Sequence, residues 1–348
     1  MNNKQFALRW MALMSVPLWL AGCAGGMGGA ALQLADEGSF FVNGQSYRSE
    51  HPGASLNTGP APAGNITINQ MYVQYRIPAS RTAVPIVMVH GSQHTGKTYE
   101  TTPDGREGWA TWFVRHGHPV YVVDQVGRGR SGFNPTPVNA VRAGAGDPGK
   151  LPIFFLGPIE RAWANFRFGP EYPKPFPNMQ FPLDALDQYL AQLVPNAETT
   201  LPGGGRNTVN ALAALLDKIG PAVVFVHSQS GVYGLDVVRK RPALVRALVS
   251  VEGGCETMTA HDAATSFASV PFISVWGDNS VGAWGVNGDK RRNGCLQAVK
   301  HVQAAKGKAR LLLLPEAGVM GNSHMMMMDR NNLQVAGLIR EWLSENVR

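Results

Sequence analysis

The chain has 348 residues, 44% of them hydrophobic and 16% charged, with a formal net charge of +7. That is enough apolar material for a large core in one domain or one and a half, and it excludes a disordered chain. The positive excess is spread out rather than gathered into Lys/Arg runs. With no basic helix, finger spacing or aromatic–basic alternation, a nucleic-acid partner is not expected.

Lys4 and Arg9 precede an apolar stretch from Trp10 to Leu20, too short to span a bilayer comfortably, so residues 1–22 read as a signal peptide. The stretch ends in Leu20-Ala21-Gly22-Cys23, which resembles the bacterial lipobox. That pattern implies an exported protein, anchored at a membrane (the outer one) solely through lipid on Cys23; simple secretory cleavage near Gly22 or Ala24 is the alternative. Removal of Lys4 and Arg9 lowers the charge to +5, there being no acid in the segment. Cys23-Ala24-Gly25-Gly26 then begins a flexible tether, and residues 23–65 read as tether and lead-in. Export also gives meaning to the 3 cysteines. With Cys23 lipidated, Cys255 and Cys295 remain as a candidate disulfide or as two buried thiols. Neither has the partners of a metal site, and no metal or cofactor is expected.

In chain order, Phe40-Phe41-Val42 meets Asn43-Gly44, a two-residue hairpin signal. Ile66 to Ile77 suggests an antiparallel strand. Val84–Val89 is a buried run ending in His90-Gly91-Ser92-Gln93, and Val120–Val123 is another, ending in Asp124-Gln125-Val126-Gly127-Arg128-Gly129-Arg130-Ser131. Residues 133–205 break the rhythm with Pro-aromatic clusters around Phe154, Trp163, Phe166 and Phe168, and read as a cap over the site. Their apolar side chains either line a substrate pocket or glue the cap down. Val209, Leu212, Leu215, Leu216 and Ile219 lie at helical spacing and are stopped by Gly220-Pro221. The β-branched run Val223–Val226 follows. Ala247–Val251 ends in Glu252, Pro271–Trp276 ends in Gly277-Asp278, and Leu311–Leu314 ends in Pro315. A helical pattern through Leu333, Leu338 and Trp342 closes the chain. Strands alternating with helices predict an α/β fold, a mostly parallel sheet covered on both faces, with its ligand site at the C-terminal strand ends.

One of those ends carries the chemistry. Val226-His227-Ser228-Gln229-Ser230 is a strand, tight turn and helix, a nucleophile elbow in which Val226 and Ser230 replace both small positions of G-x-S-x-G. Ser228 is the candidate nucleophile; taking Ser230 instead would put Val232 where a small residue is needed. A serine needs an imidazole to take its proton, and the imidazole needs a carboxylate. His227 is adjacent and expected to point elsewhere, while His324 follows the last strand, so His324 is the candidate base. For the acid, Asp278 sits one residue after Gly277. Glu252 ends the preceding strand and is one methylene longer; it is preferred, with Asp278 as the alternative. The oxyanion donors expected are the backbone N–H groups of Gln229 and Ser92, with Gln93 as a near alternative. Activity should fade on acidification as His324 gains a proton.

Over most of residues 66–348 the chain resembles the α/β-hydrolase superfamily, in whose lipases and esterases a turn D-x-x-G-x-G-x-S like Asp124 to Ser131 is common. More narrowly it is similar to a small group of secreted bacterial esterases with an H-S-Q-S-G elbow, His227 to Gly231 here. The shared stretches include Thr101 to Arg106, Phe166 to Pro170, Gly321 to Met327 and Asp329 to Asn332. The resemblance implies the hydrolase fold with an inserted cap at about 133–205, and a catalytic glutamate after the sixth strand, matching Glu252. It departs at Ser92-Gln93, where the group carries adjacent cysteines. The implied activity is that of a serine carboxylesterase acting on a small-molecule ester. An amidase or peptidase using the same groups, and a non-catalytic binding lipoprotein on the same fold, are the alternatives.

Overall fold

The computed structural model describes residues 31–201, 203–280 and 288–347. The expected signal peptide and Cys23 lie outside the described residues. The β-branched runs form an eight-stranded sheet whose members are β1 (Leu34–Val42), β2 (Met71–Pro78), β3 (Ile86–Val89), β4 (Val120–Asp124), β5 (Ala222–His227), β6 (Val245–Val251), β7 (Phe272–Trp276) and β8 (Ala309–Leu313). Their order across the sheet is β1-β2-β4-β3-β5-β6-β7-β8. β1 and β2 run antiparallel, and every pairing from β4 through β8 is parallel. The strand order reverses direction at β3 and β5, which puts a crevice at their C-terminal ends.

Along β5 the side chains alternate between two cores. Val223 and Phe225 pack on one face with Trp109 and Phe113 of α1 (Trp109–Arg115). Val224 and Val226 pack on the other with Leu212 and Leu216 of α2 (Gly204–Ile219), Leu235 and Val238 of α3 (Gly231–Lys240), and Val299 and Val302 of α4 (Asp289–Ala304). The closing helix α5 (Asn332–Asn346) lies on the α1 face through Val335 and Ile339. A run such as β5, buried at every position and apolar up to its last residue, His227, is explained by burial on both sides. Among the described residues no helix is long and apolar enough to cross a membrane.

Two expectations need correcting. Asn43-Gly44 does not close a hairpin: Asn43 takes φ of 62° and the chain turns away, so that β1 pairs with β2 while Gln45–Ser49 pairs with Gly64–Ile68 in a separate small sheet. The main sheet therefore starts at Leu34, inside the stretch expected as tether and lead-in. The single strand expected over Ile66–Ile77 is two strands, split at Asn69, whose φ is 60°. In both places an asparagine in the left-handed region breaks an extended run, and β2 is paired on both sides only if β1 comes to it. Residues 133–205 contain short helices, Thr136–Arg142, Ile159–Asn165 and Leu186–Ala191, and isolated bridges. Cys255 and Cys295 form a disulfide, anchoring the turn after β6 to α4.

Candidate active site

Ser228 follows β5 at the first position of a short turn leading into α3, with φ of 53°, which an L-residue holds only where its surroundings impose it. Two close approaches make the turn possible. A Cβ on Gly91 would lie 2.8 Å from His227 Nδ1 and 3.0 Å from Ser228 Cβ, so glycine there lets the loop after β3 lean on the serine. A Cβ on Gly234 would lie 2.9 Å from Val226 Cγ1. The bulky Val226 is thus accommodated because the helix residue facing it has no side chain. Ser230, the alternative serine of the turn, is engaged with the backbone. Its hydroxyl is buried, accepts from the His227 N–H at 2.9 Å, and lies 3.1 Å from the Val89 carbonyl, within donating reach.

Glu252 ends β6, also at positive φ (47°), and its carboxylate is completely buried. Oε2 accepts from His324 Nδ1 at 2.5 Å, while Oε1 accepts from the Gly277 N–H at 2.9 Å and from the Arg167 guanidinium. Burial works to raise this carboxyl, but the Arg167 charge and the hydrogen bonds from His324 and Arg167 outweigh it and hold the pKa at about 2. The imidazole of His324 is also fully buried. Burial pushes it down to about 4 although Glu252 favours the charged form, so at neutral pH the ring is uncharged, with its proton on Nδ1.

The loop carrying His324 is held from several sides. Asp329 accepts from the Ser323 N–H (2.8 Å), the Ser323 hydroxyl (2.7 Å) and Asn322 Nδ2 (3.0 Å). Arg106 donates to the carbonyls of Met328 and Asp329 at 2.9 Å each, which gives a structural purpose to the Thr101–Arg106 stretch. Met325, Met326, Met327 and Met328 are fully buried in the core beneath. Phe166 stacks on the imidazole at 5.8 Å with planes 4° apart, and its carbonyl accepts from the His324 N–H at 2.8 Å. His227, expected to face away, lies against the site: its Nε2–H donates to the His324 carbonyl at 3.0 Å, and the two rings are 4.6 Å apart.

No hydrogen bond joins the serine and this imidazole. His324 Nε2 is buried without a partner among the described residues, and Ser228 Oγ accepts from Arg291 Nη1 at 3.4 Å. Asp278, the alternative acid, is not brought to His324; it accepts from the Asn322 N–H and from Asn178 Nδ2, both at 3.3 Å. Ser92, Gln93, Gln229 and Ser228 line one cavity of about 410 Å³, within the range of small-molecule sites. Behind Ser92 and Gln229 lies a buried ion pair between Arg128 and Glu198. Arg128 donates to the carbonyls of His94 (3.0 Å) and Gly91 (3.4 Å), and Glu198 accepts from Gln229 Nε2 at 3.4 Å. Gln93 ties this loop to the 133–205 segment by accepting from the Gly157 N–H.

Residue-type and spacing arguments missed Arg167, Arg291 and the Arg128–Glu198 pair, and saw Phe166 only as one of the aromatic residues of 133–205. Arg167 and Arg128 left a trace in the stretches of resemblance Phe166 to Pro170 and Asp124 to Ser131; Arg291 and Glu198 left none. The arrangement holds an uncharged imidazole, oriented by a carboxylate, against His227, the residue before an elbow serine that lines a cavity.

No family model matches the chain. It is 41% identical to a solved structure described as a novel bacterial esterase, over 92% of this chain and 99% of that one, with a TM-score of 0.87. It is also 29% identical over 325 residues to the probable secreted lipase phiG of Fungal sp. (strain ATCC 74256), covering 81% of this chain and 86% of the lipase. With the β1-β2-β4-β3-β5-β6-β7-β8 sheet and the likeness to that bacterial esterase together, the chain belongs to the α/β-hydrolase superfamily.

Proposed function

We infer that the protein is an exported serine carboxylesterase in which Ser228, His324 and Glu252 act as nucleophile, base and acid. The observation that carries the reading is the orphaned, buried Nε2 of His324, left as a proton acceptor because the ring proton is held on Nδ1 by Glu252, in a ring that lies against the residue preceding Ser228. In the reaction the Ser228 hydroxyl turns from Arg291 toward Nε2. Oγ bonds to the ester carbonyl carbon as Nε2 takes its proton, and the imidazolium formed is stabilised by Glu252. The carbonyl oxygen becomes an oxyanion, received by the backbone N–H groups of Ser92 and Gln229, each contributing about 3–4 kcal/mol to the transition state. The imidazolium returns its proton to the departing alcohol. Water, deprotonated in turn by His324, then attacks the acyl-enzyme and releases the acid and free Ser228.

Support for an ester as substrate comes from the kinship to a bacterial esterase and to a probable secreted lipase. The same secreted relative, and the signal-like first 22 residues, support export; lipid attachment at Cys23 is part of the proposal. The test is treatment of the folded protein with a fluorophosphonate probe, followed by peptide mapping and assay on p-nitrophenyl acetate. A single adduct on Ser228, lost together with activity in Ser228→Ala, is expected. Absence of any adduct, or hydrolysis undiminished in Ser228→Ala, overturns the reading.

A further inference from the structure

We propose that the rim of the sheet opposite Ser228 is the face by which the protein lies against an anionic lipid bilayer. This goes beyond the esterase reading and does not depend on it. Ser228 and Glu252 follow the C-terminal ends of β5 and β6. At the other end of the strands are two neighbouring cavities, of about 730 and 520 Å³, that share Val347. One is lined by Arg246 at the start of β6 and by Lys306 and Lys308 before β8, the other by Arg81 before β3 and Arg340 on α5. Among the described residues no aspartate or glutamate lines either cavity, Glu341 and Glu345 of α5 included. All five cations are exposed and stand without an ion pair among the described residues, whereas Arg239 and Arg241 are held by Asp262 and Asp217. Positive charge scattered along the sequence between positions 81 and 340 is thus gathered by the fold on one rim.

Two features point to a bilayer. The cations are spread over the strands from β3 to β8, roughly 19 Å at the usual strand spacing, a breadth that meets a surface rather than a single ion. They do not follow one helix or groove, as a nucleic-acid footprint would. The second feature is where the chain enters the domain. Leu34 opens β1 opposite Pro78, and the Gln33 carbonyl accepts from the Ala79 N–H at 3.0 Å, two residues before Arg81. Cys23, the expected lipid site, precedes Gln33 by ten residues, so that even at full extension lipid there holds this end of the domain within about 35 Å of a bilayer. A lipid chain and a basic patch are together the two signals that stable attachment uses. Ser228, on the opposite rim, then faces away from the bilayer.

The experiment sediments the full chain with sucrose-loaded vesicles at about 0.1 M NaCl, either phosphatidylcholine alone or phosphatidylcholine with about 30% phosphatidylglycerol. The apolar leader, or lipid on Cys23, acts on both vesicles alike, so the ratio of the two partition coefficients reads the charge. Each basic residue at such a surface contributes roughly fivefold, so the ratio should exceed about a hundredfold and fall towards unity near ~1 M salt. Lys308→Gln/Arg340→Gln should lower it roughly twentyfold. Arg142→Gln/Lys150→Gln, which removes the same charge from exposed positions in the 133–205 segment, should change it by less than about twofold. A ratio near unity, or an equal loss from either pair, overturns the inference. So does capture of a DNA duplex that the rim pair weakens, without preference for the anionic vesicles, which would give this face to nucleic acid.

Discussion

Replacing Glu252 by glutamine probes the acid through the hydrogen bonds that surround it. The Arg167 guanidinium and the Gly277 N–H converge on Oε1, and His324 Nδ1–H meets Oε2. A glutamine satisfies the first two donors only by turning its carbonyl oxygen to the Oε1 position. Its NH2 then faces Nδ1, which has to become an acceptor, and the ring proton moves to Nε2. An imidazole protonated there cannot take a proton from Ser228. In serine hydrolases the wrong tautomer lowers kcat by about 10⁴-fold, equivalent to ~5.5 kcal/mol of barrier. The substitution also removes the carboxylate facing Arg167, a side chain only 2% exposed, which costs about 3–5 kcal/mol of stability. Turnover of p-nitrophenyl acetate is therefore measured well below the melting transition, with near-ultraviolet circular dichroism to verify folding. Asp278→Asn is the matched control, since Asp278 bonds to Asn322 and Asn178 and not to His324. A folded Glu252→Gln enzyme keeping more than about a tenth of kcat, or an equal loss in Asp278→Asn, refutes the reasoning.

Burial shifts the acid limb of the pH profile. An unperturbed imidazole would lose activity at about pH 6.5, whereas His324, lowered to about 4, stays in its neutral, proton-accepting form down to that value. Accordingly kcat/KM rises with pH through roughly 4 and is level above, and a limb at or above about 6.5 contradicts the burial argument. The Cys255–Cys295 disulfide spans a sequence separation of 40, for which the chain-entropy relation gives about 4 kcal/mol. Scanning calorimetry of Cys255→Ala/Cys295→Ala should show a Tm lower by about 6 °C, and an unchanged Tm would count against that contribution. Gly234→Ala forces a Cβ to within 2.8 Å of Leu248 Cδ1 and 2.9 Å of Val226 Cγ1, destabilising by about 1–3 kcal/mol in urea unfolding. Adding Val226→Ala should recover part of that loss; no recovery means that the two positions do not compensate each other.

Much of the α/β architecture was readable because it rests on short-range patterns. Apolar runs such as Val223–Val226 predict strands buried on both faces, glycine and proline after Ile219 mark a helix end, and the polar residue that follows each run is carried to the same rim of the sheet. The same logic failed at Asn43-Gly44 and within Ile66–Ile77, where a hairpin signal and an unbroken extended run were taken at face value. Whether two strands joined by a tight turn pair with each other depends on which other edges compete for them, and β2 offered β1 a longer partner than Gln45–Ser49 could.

By itself, then, the sequence determined which side chains with hydrolytic chemistry stand at strand ends: a serine after β5, two carboxylates after β6 and β7, a histidine after β8. The sequence preferred Glu252 to Asp278 as the partner of His324; tertiary structure alone decided how that carboxylate is held, that Arg167 reaches it from 85 positions away, and that Arg128 and Glu198 brace the loop holding Ser92. Periodicity and turn chemistry are properties of neighbours along the chain. A buried carboxylate's partner is set by how distant segments dock, which here leaves Glu252 on His324 and Asp278 on Asn322 and Asn178.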